Sequence, residues 1–168
     1  MTVIDAGRCS TSLNPSVQAV LSTTYQVLAP TIHVVTSIPT NQPWGEAATP
    51  YAELGGDDRV RELVDHFYDR VDASAPTLRA MLPKNDSTSR QKLYEFLSGW
   101  MGGPPLYMEK RGHPKLRMRH FPFEIGLPEV EEWLRCMHEA MDEVGVSGRL
   151  RTYLDEQFHR SAHWMRNR

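Results

Sequence analysis

Cysteine is almost absent. Cys9 and Cys136 are the only two in 168 residues, which excludes the disulfide framework of a small secreted scaffold. Cys136 sits in an apolar helical pattern and reads as a small buried hydrophobe. No apolar run approaches the ~20 residues that a membrane-spanning helix needs, so no membrane is expected. The start carries no secretory pattern, because Asp5 interrupts it and no basic segment leads into an apolar core. Its Ser/Thr content is mildly transit-like, but arginine is scarce, and a reduced cytoplasmic setting is the default expectation. Charge of one sign does not accumulate: 19 basic against 21 acidic residues leave a net charge of -2. That balance gives no electrostatic reason to expect nucleic acid. Internal repeats, a phosphate loop, a nucleophile elbow and a CxxC pair are all missing. What remains, 40% hydrophobic and 24% charged residues, is the composition of an ordinary globular domain.

The length fits one domain with an added tail. Residues 1–50 differ from the rest, holding only Asp5, Arg8 and Glu46 as charges and five prolines as punctuation. Asn14 can cap a helix over 15–28, and the β-branched stretch 32–38 can run extended. This segment reads as an N-terminal extension, either mobile or an apolar arm packed on the remainder or on a second subunit, which leaves a homodimer open. Residues 51–168 carry the helical period. Val60, Leu63, Val64, Phe67 and Val71 share one face over 57–72, and a short helix follows before Pro83. A helix capped by Ser87 or Thr88 runs to Met101, with Leu93, Phe96, Leu97 and Trp100 inward. Pro128 opens another that Gly145 ends, and a last one covers 148–164. With no convincing strand in 51–168, the fold class is all-α.

The centre of the chain, 102–123, cannot be one helix. Gly102, Gly103, Pro104 and Pro105 stop it, Gly112 and Pro114 break it, and Pro122 breaks it again. One helical piece, 115–121, lies between the last two prolines and places His120 near its end. Lys115, Arg117 and Arg119 precede that histidine, and Phe121 and Phe123 flank it. A nitrogen ligand beside aromatic walls and a rim of cations suits a flat apolar cofactor with carboxylates at its edge, as haem has. The alternative is a half-buried structural histidine. His159 and His163, four apart, have metal-ligand spacing but no third ligand and no adjoining glutamate, so two exposed helix histidines are expected. His33, His66 and His138 have no nameable partners.

Residues 51–144 resemble a group II truncated haemoglobin. The resemblance rests on Gly55-Gly56, Phe67-Tyr68, Lys92-Leu93, Phe96-Leu97, Trp100 through Pro105 and Gly112-His113-Pro114. It continues through Leu116 to His120, Pro122-Phe123 and Trp133 to Met137. It implies a two-over-two helical sandwich around haem b, iron protoporphyrin IX, with 51–168 as the globin domain. It further implies that His120 is the proximal iron ligand and that Tyr68, Ser89, Leu93 and Trp133 line the distal pocket. There Tyr68 and Trp133 would donate hydrogen bonds to a ligand bearing partial negative charge. Lys92, Tyr107, His113 and Arg119 are the candidates for the haem carboxylates. Phe96, Leu97, Phe123 and Ile125 are expected to pack on the ring, together with Leu82, or Met81, before the distal helix.

The expected function is a haem protein that binds dioxygen and other small ligands: nitric oxide, carbon monoxide or peroxide. An alternative on the same haem is an enzyme for nitric oxide dioxygenation or peroxide reduction, and either would need an unidentified reductase. A third reading is a haem-free helical sensor or interaction domain.

Overall fold

The structure, a computed structural model, describes residues 41–168. The helix expected over 15–28 and the extended stretch 32–38 lie outside these residues. Among the described residues there are helices and no strand: α1 (Pro50–Leu54), α2 (Asp57–Ser74), α3 (Pro76–Met81), α4 (Ser87–Trp100), α5 (Leu106–Arg111), α6 (Leu116–His120), α7 (Leu127–Glu143) and α8 (Gly148–Met165). None of these helices is long and apolar enough to cross a membrane.

The core forms where apolar stripes meet. The α2 stripe, Val60, Leu63, Val64, Phe67 and Val71, is fully buried and packs on α7, whose Met137, Ala140 and Met141 are buried in turn. A second face of α2 packs on α4, and α7 packs on α8. The result is two helix pairs laid one on the other. Leu150, Leu154 and Phe158 of α8 complete the core. The chain turns between α7 and α8 at Gly145, whose φ of 76° favours a residue without Cβ.

Several local features depart from the sequence reading. Asp86, rather than Ser87 or Thr88, sits at the start of α4, and its carboxylate accepts from Arg90 Nε at 3.2 Å instead of capping the helix. The central stretch holds two helical pieces, α5 and α6, where one was expected, and α6 is shorter by a residue at each end. Residues 41–49, assigned to the extension, lie against α8. Trp44 meets Tyr153 edge-on at 5.2 Å, and the Glu53 carboxylate accepts from Ala47 N at 2.7 Å. The sequence leaves this stretch either mobile or a packed apolar arm, and Trp44 has an aromatic partner more than a hundred residues away. His66 and His138 also have partners: Glu143 lies 2.6 Å from His66 Nδ1, and Asp155 lies 3.2 Å from His138 Nε2.

Two tethers fix the side of the molecule that bears the site. Glu95 of α4 is buried at 1% exposure, where its carboxylate accepts from Gln91 (2.9 Å), Lys110 (3.0 Å) and Arg111 (2.7 Å). It thereby ties α5 to α4. Burial alone would raise the pKa of this carboxyl, but the three hydrogen bonds outweigh it and hold the group at about 2. Glu132 of α7 accepts from the Leu78 amide at 2.9 Å and so satisfies a free N–H of the first turn of α3.

Candidate functional site

The site begins at the break before α6. Lys115 carries the only positive φ, 43°, of any non-glycine among the described residues, so α6 starts from a strained position. It ends at His120, whose Nδ1 lies 2.8 Å from the carbonyl oxygen of Leu116. A carbonyl only accepts, so Nδ1 carries a proton, and in the neutral ring Nε2 is the nitrogen with the lone pair. The segment after His120 is held by the far end of the chain. Asn167 Oδ1 accepts from Ile125 N at 3.0 Å, and its Nδ2 donates to Phe123 O at 2.8 Å.

His120 faces an apolar cavity of about 260 Å³ walled by α2, α3, α4, α6, α7 and α8. One water takes up roughly 30 Å³, so this space is far larger than a packing defect. An aromatic chain runs through its walls. Phe96 stacks toward Trp100 at 6.4 Å and Trp100 on Phe158 at 5.2 Å. Phe158 meets Trp133 at 5.6 Å, Trp133 meets Phe67 at 5.5 Å, and Phe67 meets Tyr68 at 5.1 Å. Such interlocked rings hold one another's rotamers and keep the cavity open.

The cavity wall includes Tyr68, Leu93 and Trp133, and also Leu82, Phe96, Leu97, Phe123 and Ile125. Met81 lines it as well as Leu82. Burial pushes the Tyr68 phenol well above its usual pKa, and Asp86 adds to this. Arg90 and a hydrogen bond with Ser89 pull only partly back, so Tyr68 keeps its proton near neutrality. Trp133 Nε1 has no hydrogen-bond partner among the described residues. Ser89, a hydrogen-bond partner of Tyr68, does not line the cavity. Lys92 is exposed and pairs with none of the described residues. Tyr107 is buried edge-on against Phe96 at 6.4 Å. His113 Nδ1 accepts from Lys115 N at 3.1 Å, and Arg119 Nε donates to Pro114 O at 2.9 Å, which draws both toward their own loop.

Sequence reasoning missed part of the wall: Trp100 and Phe158 as cavity aromatics, Leu116 as the histidine's partner, and Ser161 and Met165 at the end of α8. The period of α8 marks Phe158 as inward, but only the packing shows that it borders a cavity. The His159 and His163 rings lie 4.3 Å apart, with no metal-binding cluster of three or more ligands among the described residues.

An apolar cavity between two helix pairs, entered by a histidine with a free Nε2, fits a haem and defines the shortened, two-over-two form of the globin. The model of the bacterial-like globin family matches residues 49–167. A group 2 truncated haemoglobin of Bacillus subtilis is 42% identical over 118 residues, covering 70% of this chain and 88% of that one. The solved group II 2-on-2 haemoglobin of Agrobacterium tumefaciens superposes with a TM-score of 0.70 at 43% identity, over 73% of this chain and 97% of that one. A truncated oxygen-avid haemoglobin from Bacillus subtilis gives 0.67 at 42% identity, over 71% and 99%. The chain therefore belongs to the bacterial-like globins, among the group II truncated haemoglobins, a family whose cofactor is haem.

Proposed function

We propose that the protein holds haem b on Nε2 of His120 and binds dioxygen against Tyr68, Leu93 and Trp133. The observation that carries this reading is the 2.8 Å contact of His120 Nδ1 with Leu116 O. It fixes the tautomer and the ring orientation, as an outer partner does for a metal-bound histidine. When bound, haem supplies an iron that takes small diatomic ligands reversibly.

The chain's own groups do the rest. Tyr68 retains its O–H because burial disfavours the phenolate, so it stays a donor toward a ligand that bears partial negative charge. Trp133 Nε1–H, unpaired among the described residues, is a second donor, and the apolar wall around both makes each hydrogen bond count for more. Leu93 and Phe96 keep water from the ring. Lys92, exposed and unpaired among the described residues, is the cation best placed to meet a haem carboxylate at the rim, where water screens the pair. The oxygen-avid relative from Bacillus subtilis supports dioxygen as the ligand, and nitric oxide and carbon monoxide share its size.

The test is an absorption spectrum of the purified protein, as isolated, then reduced, then under air. A strong haem band that shifts at each stage is expected. No band after addition of haemin contradicts the reading.

A further inference from the structure

The net charge of -2 hides an uneven distribution. The outer face of α2 is acidic: Asp58, Glu62, Asp65 and Asp69 surround one surface hollow, with Arg61 and His66. The face over His120 is the reverse. Between 109 and 120 the only acid is Glu109, against Lys110, Arg111, Lys115, Arg117 and Arg119. Glu95 engages the first two of these. Lys115, Arg117, Arg119 and the nearby Arg160 of α8 meet no carboxylate among the described residues.

In the middle of these cations are large apolar groups left in solvent: Met118 is 56% exposed, Phe121 61% and Trp164 62%. Arg117 joins Trp164 and Phe121 into one surface. Its guanidinium lies 4.8 Å from the Trp164 ring and 5.8 Å from that of Phe121, and it donates to Trp164 O. Exposed Trp, Phe, Met and Arg in one patch are the composition of the core of a protein interface. This patch stands on α6, the helix that carries His120.

We propose that this face docks an acidic protein that carries a one-electron donor, a flavin or an iron–sulfur cluster, and that it is the route by which the haem iron is reduced. The inference rests on the haem reading above. One electron would leave the partner's centre and reduce the haem iron from ferric to ferrous, so the partner's centre is oxidised by one electron. Charge complementarity selects the occupant. The basic patch attracts an acidic partner and the acidic α2 face repels it, so the partner is steered to the side of the proximal histidine. Docking there leaves the ligand side of the cavity untouched.

The experiment uses the haem-loaded full chain and an acidic [2Fe–2S] ferredoxin as the probe, with binding measured by calorimetry and reduction by stopped flow. Wild type is expected to lose roughly tenfold in affinity between low and physiological salt. R117E/R160E is expected to bind roughly tenfold more weakly and to be reduced more slowly in proportion. K84E/R149E, the same change in charge elsewhere, is expected to stay within about twofold of wild type. Trp164→Ala, on an exposed residue, serves if the double variant loses its haem, and is expected to weaken binding by several-fold. Unchanged binding in the patch variants, an equal loss in K84E/R149E, or patch-dependent binding to anionic lipid vesicles in place of the ferredoxin overturns the proposal. A wild type without a haem spectrum fails the functional reading instead, so the two failures are distinguishable.

Discussion

The two sides of the haem cavity are built differently. On one side α2, α7 and α8 form a close-packed slab in which Val60, Leu63, Cys136, Met137 and Leu154 have no exposure at all. On the other, α6 is a single five-residue helix that buries none of its residues. It is held by a strained Lys115 at one end and by Asn167 at the other. The slab would stand without a cofactor, whereas the His120 wall has little of its own to pack against. The difference places stability in one wall and ligation in the other. A ligand between them supplies the missing contacts of the thin side.

Substitutions can break this contrast. The largest effect is expected in the slab: Phe158→Ala should cost about 3–5 kcal/mol, while Met118→Ala on α6 should stay within about 0.5 kcal/mol. Urea denaturation of both apo variants checks this, and equal losses would end the distinction between the walls. Next comes the tether between α4 and α5. Glu95→Gln should cost roughly 1–3 kcal/mol by weakening the bonds from Lys110 and Arg111. It should also change the acid response. The folded carboxyl is lowered to about 2 from an ordinary 4.5, so between these values the unfolded chain binds more protons and stability falls as the pH falls. The contribution is full above about 4.5 and lost towards 2, and the glutamine variant should lack that part of the acid loss in a pH series of melts. The smallest effect concerns the ligand alone. Trp133→Phe removes one donor worth about 1 kcal/mol and should speed dioxygen release roughly two- to tenfold. An unchanged off-rate would leave Tyr68 as the sole donor.

Helix existence was legible in the sequence because it depends on period. The stripes of α2, α7 and α8 are strong, and each is buried as its spacing requires. The central motif was legible for another reason: its glycines and prolines punctuate 102–123 so tightly that His120 is confined to a short element. What escaped is what depends on distant residues. Trp44 fell in an extension that the sequence left either mobile or packed, because its partner, Tyr153, lies far away on α8. Asn167, next to the last residue, gave no local sign that it holds the segment after His120. The buried carboxylate Glu95 could not be told from a surface glutamate until Lys110 and Arg111 were seen beside it. Among the candidates for the haem rim, a basic or aromatic residue type alone could not separate Lys92, unpaired among the described residues, from Arg119, which is tied to Pro114 O, or from the buried Tyr107.

The central claim is that His120 supplies the ligand that retains haem, and it is tested most directly by the haem content of His120→Ala beside wild type after equal exposure to haemin. Circular dichroism should show that the α2–α7–α8 slab persists in the variant. The account predicts that wild type keeps a full complement of haem through gel filtration and that the variant loses it. A variant that retains haem at the wild-type level would contradict the account.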